Sequence, residues 1–377
     1  MKITSVEAYF LSSPQPEREF WVSLRPVLSV NELVVKVLTD EGVTGVGLGT
    51  AAGPVCEAAK LFRSGFGDLI VGEDPLRPER VLEKTLGASY RRAAHENGWP
   101  RPHIVTAAAA IDNALWDLMG KVVGLPVYKL LGGLEGRART YAGGGYYRKD
   151  KDIAELTEEI GGYHDMGHRG FKMKIGAMTL DDDLARVAAV RETIGPECLL
   201  AVDVNGAWDY ARAKEGVKHL AGFDLAWVEE PICWREAKHA LPRLRAECPV
   251  PIADGHGELH LYECLRLIEE KSVDYIQFDA TKFEGVTGSR KIMAAAELAH
   301  IQFVPHHDPQ IHAHCIAASP AGFICESHAD AERDPVWFEL FEGAPELEEG
   351  WLTLSDRPGF GVELNESAMK KWGEKVL

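Results

Sequence analysis

The stretch Phe171-Lys172-Met173-Lys174-Ile175-Gly176 decides the fold. Gly170 precedes it, Gly176 ends it, and three apolar residues alternate with two lysines, which is the period-2 pattern of a strand. Successive strand side chains point to opposite faces, so Lys172 and Lys174 share one face while Phe171, Met173 and Ile175 take the other. Such a strand is either a solvated edge with two ordinary surface lysines or one wall of a barrel mouth. In a barrel mouth each ammonium disfavours the other's charge, and one amine can serve as a base. The rest of the chain selects the barrel.

From Arg139 onward, a short apolar strand, one or two polar residues and an amphipathic helix recur at intervals of roughly 25 to 30 residues, the βα signature of a parallel barrel. The expected strands are 139–144, 170–175, 199–204, 225–229, 250–254, 274–279, 301–305 and 322–326. Titratable groups stand at the C-terminal ends of seven of them. In order these are Lys172 and Lys174; Asp203 with Asn205; Glu229 and Glu230; Asp254, His256 and Glu258; Asp279 and Lys282; His306 and His307; and Glu326. That rim is where a (β/α)8 barrel builds its chemistry.

Upstream, residues 1–53 read as antiparallel strands. A hairpin turn at Thr39-Asp40-Glu41-Gly42 separates 32–38 from 43–49. The polar, Pro-containing loop 12–21 is too long for a hairpin and is a lid candidate. Residues 54–131 are helical, centred on the Ala-rich run 107–120. The chain is thus expected to be α/β, with an α+β N-terminal domain over 1–133 ahead of the barrel.

Composition removes several function classes. A net charge of −17 opposes nucleic-acid and anionic-membrane binding, leaving a small acid as the expected partner, bound through local lysines and a divalent metal. The chain has no apolar run of eighteen residues, and its opening residues Met1 to Glu7 lack the charged and apolar regions of a signal peptide, so a cytoplasmic location is expected. Seven scattered cysteines without C-x-x-C spacing argue against a disulfide framework or a cysteine zinc site.

Asp203, Glu229 and a third group after the fifth strand can converge on one point, and oxygen ligands on separate rigid strands suit Mg²⁺. Lys172 and Lys174 would flank that metal on one side, Asp279 and His306 on the other. A metal between two bases fits removal of a proton α to a carboxylate, with an aspartate fixing the imidazole tautomer.

Several stretches carry a family resemblance. They are Ala114-Leu115-Trp116-Asp117, the run from Leu125 to Gly133, the K-x-K at Lys172 and Lys174, Asp203-Val204-Asn205-Gly206, Trp227-Val228-Glu229-Glu230-Pro231 and Pro251-Ile252-Ala253. Over nearly its whole length the chain resembles the mandelate racemase subgroup of the enolase superfamily. The resemblance implies a modified (β/α)7β TIM-like barrel over 134–326, capped by the N-terminal domain, with 327–377 returning to the cap. It implies Asp203 and Glu229 as Mg²⁺ ligands, Lys174 as a base and Lys172 as its helper. It further implies Asp279 and His306 as a dyad on the opposite face, with His307 the alternative histidine, and Glu326 as a hydrogen-bond donor to the substrate carboxylate.

The fifth strand departs from the pattern. His256 falls where relatives carry a carboxylate, with Glu258 as the alternative, and imidazole suits Mn²⁺ or another transition ion better than Mg²⁺. Asn205, Tyr146, Lys282 and His307 are the expected substrate contacts, in a polar pocket that also takes in Tyr147, Arg148, Gln310 and His312. The expected activity is dehydration of an aldonic, aldaric or related hydroxy acid. The alternatives are a racemase or epimerase of 2-hydroxy acids and a non-catalytic relative whose metal site is impaired by His256. The resemblance also implies a homo-oligomer.

Overall fold

The computed structural model describes residues 1–14, 16–50 and 55–377; Gln15 of the expected lid loop and 51–53 of the N-terminal strand region lie outside the described residues. Strands Ile3–Ser12, Asn31–Thr39 and Thr44–Gly49 form an antiparallel sheet, joined at one edge by Gly373–Lys375 from the far end of the chain. The helix Arg101–Val123 packs across this sheet. Its alanines 107–110 and 114 are fully buried because the facing strand presents glycines. A β-carbon on Gly47 would stand 2.2 Å from Ala110 O and 2.3 Å from Ala114 N, so only glycine allows this approach of strand to helix.

The barrel strands are Arg137–Gly144, Gly170–Lys174, Leu199–Asp203, Val228–Glu229, Ile252–Asp254, Tyr275–Ile276, Gln302–Phe303 and Cys325–His328, hereafter first to eighth. All pair parallel in sequence order. The eighth pairs with the first, and a bridge between Phe303 and Gly322 closes the ring. The intervening helices start where the sequence provides caps. Asp152, Thr179 and Asp209 each accept a backbone N–H three residues on, at Glu155, Asp182 and Arg212. Phe171, Met173, Val202 and Ile276 face outward into the layer between barrel and helices, while Tyr141, Ala201, Trp227, Ala253, Val304 and Ile324 fill the barrel interior.

After residue 326 the chain divides. Trp351–Thr353 pairs antiparallel with Arg137–Arg139 at the base of the barrel sheet, whereas Val336, Leu340, Phe360, Val362 and Met369 pack with the cap residues Leu11, Val34, Leu48 and Trp116, and the last residues add a strand to the N-terminal sheet. The cap is locked to the barrel by buried polar contacts: Thr287 N and Oγ1 donate to Asp112, and Asn113 Nδ2 donates to Leu48 O and Ala280 O. The loop that follows the first N-terminal strand reaches the barrel rim, where Trp21 and Tyr147 exchange backbone hydrogen bonds and Ser23 Oγ donates to Ile175 O. No helix among the described residues is long and apolar enough to cross a membrane.

Substituting Gly47→Ala forces strand Thr44–Gly49 off the long helix. A loss of about 3 kcal/mol in urea-unfolding free energy is expected; unchanged stability would show that the sheet and helix can part without cost.

Candidate active site

The inward positions at the C-terminal end of the barrel are all polar, except two that are glycine. Lys172, Lys174, Asp203, Glu229, Gln277, Asp279, His306 and Glu326 follow from the alternation of their strands, each two residues beyond an inward-facing neighbour or its equivalent. The exceptions are the first strand, where Gly143 follows Tyr141 and faces Glu326, and the fifth, whose inward slot beyond Ala253 is Gly255. The φ of Gly255 is +130°, and a β-carbon there would meet Gln277 O at 2.5 Å. His256 therefore reaches the site from the turn that follows.

Lys172 is the centre. Its Nζ donates to Glu229 Oε1 at 2.7 Å and lies 3.1 Å from Glu326 Oε1 and 3.9 Å from Asp203 Oδ2, with the side chain fully buried. Burial opposes its charge, but Glu229, Glu326 and the other neighbours more than offset this and hold it well above the usual lysine range. Lys174 Nζ donates to Asp203 Oδ2 at 2.5 Å. Burial and, as the sequence reading expected, Lys172 lower the affinity of Lys174 for its proton, but Asp203, Tyr146 and Glu229 together more than offset them and the net shift is upward. The pairing, not mutual repulsion of the lysines, sets the charge state.

Three carboxylates, Asp203, Glu229 and Glu326, face two ammoniums, which leaves one negative charge in surplus. It falls on Glu229, which burial and then the charges of Asp203 and Glu326 push up to about 7 against the pull of Lys172. Glu229 Oε2 also accepts from Trp227 Nε1 (3.1 Å) and Gln277 Nε2 (2.8 Å), two residues that alternation could have flagged because they sit two places before Glu229 and Asp279. At Glu326, Lys172 and Lys174 outweigh burial and bring the carboxyl down to about 2, and it accepts the His307 N–H beside Lys172.

On the other flank His306 Nδ1 bonds Asp279 Oδ2 at 2.9 Å. The ring of His306 is sandwiched: His256 stacks on it with centroids 4.0 Å apart and planes 5° apart, and His307 at 3.6 Å and 24°. Burial, helped by nearby cations, holds all three imidazoles neutral, with pKa values well below the ordinary histidine range. His307 gives its backbone N–H to Glu326 Oε2 (3.2 Å), and its ring packs against Trp337, so the carboxylate-oriented histidine is His306.

The remaining expectations divide. Asn205 donates its N–H and Nδ2 to Asp203 and so fixes that carboxylate. Lys282 Nζ donates to His256 O at 3.2 Å. Tyr146 lays its ring 5.2 Å from Lys174 Nζ and 4.0 Å from Arg333 Cζ. The wider polar pocket is not as expected: Tyr147 OH bonds Asp183, Gln310 bonds Asp308, and His312 accepts from Ala280 N while bonding His307 O, all three buried in the framework. Arg148 pairs with Glu155. Glu258 has Glu263, Arg266 and Lys238 as its charged neighbours, not the cluster, whereas His256 is 94 % buried, with Nε2 3.4 Å from Glu230 Oε1 and Nδ1 unpartnered.

A divalent cation fits this donor set. A buried imidazole nitrogen lacks a partner, and a dication together with a substrate carboxylate would bring the cluster's charge to zero. Asp203, Glu229 and His256 could hold such an ion, with Asp203 and Glu229 already directly paired across the third and fourth strands. The one group among the described residues whose ligand atoms all lie within 4.8 Å of one another is a different set, His306, His307 and Glu326. Its two imidazoles are stacked on each other, with centroids 3.6 Å apart and planes at 24°, and Glu326 already holds Lys172, so we assign no ion there.

Residues 5–132 match the family described as mandelate racemase / muconate lactonizing enzyme, N-terminal domain, and residues 155–368 match the enolase C-terminal domain-like family. The chain is 28% identical over 351 residues to arabinonate dehydratase of Saccharolobus solfataricus, covering 90% of each chain. It is 31% identical over 366 residues to D-galactonate dehydratase of Xanthomonas campestris pv. campestris, covering 91% of each. Its fold superposes with a TM-score of 0.87 and 27% identity on L-talarate/galactarate dehydratase from Salmonella typhimurium LT2 liganded with Mg and L-lyxarohydroxamate, over 99% of this chain and 93% of the other.

Lys172→Met strands three buried carboxylates on a reduced cation supply. A loss of about 3 to 5 kcal/mol in unfolding free energy at pH 7.5 is expected. The loss should shrink toward pH 5, because carboxyls deprived of their cation take up protons and lose the penalty; urea titrations at both pH values check the sign.

Proposed function

Since the chain belongs to the mandelate racemase / muconate lactonizing enzyme family, we propose that it is a Mg²⁺-dependent sugar-acid dehydratase, converting a 2,3-dihydroxy acid into a 2-keto-3-deoxy acid. The observation that carries the reading is the pair of opposed flanks: a buried lysine on the second strand, and a histidine oriented by an aspartate across the sixth and seventh. A hydroxyl leaving from the β-carbon needs an acid on the face opposite the base, and an imidazole whose other nitrogen is held by a carboxylate supplies one.

When bound to Asp203, Glu229 and His256, the divalent ion supplies Lewis-acid stabilisation of the carboxylate oxygens as negative charge builds on them. The chain's own residues do the rest. Lys172 neutralises charge on the carboxylate side, from a position already fixed by Glu229 and Glu326. Lys174 Nζ takes the α-proton as the free amine, which requires Asp203 to be engaged elsewhere than with its ammonium. His306 Nε2 delivers a proton to the departing β-hydroxyl, breaking the carbon–oxygen bond and releasing water, and the enol left behind tautomerises to the ketone. Neutral His306 must first gain that proton, and the negative charge of Asp279 at Nδ1 supports the imidazolium. Glu326, ionised beside Lys172, holds the lysine and the His307 N–H in place.

The test is 2-keto-acid formation across a panel of aldonic and aldaric acids with Mg²⁺. Lys174→Ala and His306→Asn are each expected to lower kcat by about 10²- to 10⁴-fold. Racemisation with solvent deuterium incorporated at the α-carbon and no keto acid would instead make the protein a racemase.

Metal binding is checked separately by calorimetry. His256→Ala should weaken Mg²⁺ or Mn²⁺ binding by about a hundredfold, the upper end of what even outer-shell changes cost, while Glu258→Ala leaves it unchanged. The reverse result would move the third ligand to Glu258.

A further inference from the structure

Behind the dyad, hydrogen bonds continue out of the barrel and into the cap. Asp279 Oδ2 faces His306 Nδ1, and its other oxygen, Oδ1, accepts twice from a single residue, from Thr281 N at 2.9 Å and from Thr281 Oγ1 at 2.6 Å. Thr281 Oγ1 also lies 2.7 Å from Thr50 Oγ1 and 3.2 Å from Asp308 Oδ2. Thr50 stands directly after the strand Thr44–Gly49, 231 residues away in sequence, and its N–H donates to Thr281 O at 2.9 Å. All four residues are buried.

Counting protons gives this network a direction. The Thr281 hydroxyl has one hydrogen and three oxygen neighbours. Asp279 carries the charge and makes the shortest contact, so it receives that hydrogen. Thr50 must then donate to Thr281. Asp308 can approach Thr281 favourably only as a carboxylic acid; burial and the charge of Asp279 push its pKa up to about 7, and Gln310 Nε2 donates to its other oxygen. The turn itself is clamped from the same side, since Asn113 Nδ2 donates to Ala280 O and His312 Nε2 accepts from Ala280 N.

We propose that Thr281 and Thr50 are positioning residues for the proton-transfer dyad, through which the N-terminal cap fixes the Asp279 carboxylate so that Oδ2 points at His306 Nδ1. A carboxylate held at one oxygen by two donors cannot turn about its last torsion. Without the hydroxyl it is free to swing toward Lys282, whose Nζ lies 3.7 Å from Oδ2, and the imidazole loses its fixed tautomer. This inference rests on reading His306 as the acid of the reaction, and its first readout needs no turnover.

That readout is the downfield proton resonance of the His306–Asp279 hydrogen bond in the whole protein without substrate, assigned by its loss in His306→Asn. Thr281→Val is expected to shift the resonance and to speed its exchange with solvent by about tenfold, the worth of one hydrogen bond to a charged group. Thr281→Ser should restore both, and Thr50→Val should reproduce the effect from the cap side, which keeps the test alive if Thr281→Val does not fold. On an acid that the wild type dehydrates, Thr281→Val should lower kcat by about tenfold with KM within about twofold. A wild-type resonance and exchange rate in both valine variants, or no His306-dependent resonance in the wild type, overturns the proposal. Turnover of no sugar acid, with the resonance behaving as expected, overturns the dehydratase reading and leaves the relay standing.

Discussion

Everything at the mouth of this barrel depends on a single ammonium that has no access to water. Lys172 is surrounded by Glu229, Glu326 and Asp203, and each of those oxygens would be prohibitively costly to bury without it. The barrel supplies the rigidity that makes such a cluster possible, because its members come from the second, third, fourth and eighth strands and none can retreat to solvent. The surplus of one negative charge makes the cluster incomplete by itself, poised to take a cation and an anion together. Two lysines placed two residues apart on one strand are thus less a repelling couple than the two cations that hold a cage of three carboxylates together.

How much of this could be read from the chain alone follows from how regular each part is. The eight strands were legible because parallel barrel strands are apolar runs that end on polar residues, and Asp203, Glu229, Asp279, His306 and Glu326 stand where alternation puts them. Alternation stops at the strand end. Beyond it, residue type gives no direction, which is why Tyr147, Gln310 and His312 read as pocket residues although their polar atoms are spent on Asp183, Asp308 and the backbone around Ala280 and His307. Charge states were also beyond reach. Lys174 and Glu326 take theirs from partners on other strands, and no local pattern encodes a contact 29 residues away, such as that of Lys174 with Asp203.

The cap is likewise more than a cover. Its long helix contributes Asp112 and Asn113 to the segment that follows the sixth strand, and its third strand leads straight into Thr50. The glycine and alanine seam between that strand and that helix therefore bears on the site: displacement of either would pull on the turn that carries Asp279. A packing requirement in one domain and an orientation requirement in the other meet at the same three residues, Ala280 to Lys282.

Nine residues other than glycine adopt positive φ among the described residues, and most fall into two groups. Lys271 and His300 follow the helices Leu261–Glu269 and Gly285–Leu298, and Asp224 follows the turn Ala221–Phe223, all at the base of the barrel, at positions where glycine is the favoured residue. Asn205, Glu230, His307 and Asp308 occupy the chemical rim. Strain of this kind costs about 1 to 3 kcal/mol per residue. The first group is thus a reserve of robustness that glycine could release without disturbing chemistry. In the second the same relief would come only in exchange for the geometry that catalysis uses, so thermal tolerance and turnover are separable at one end of the barrel and opposed at the other.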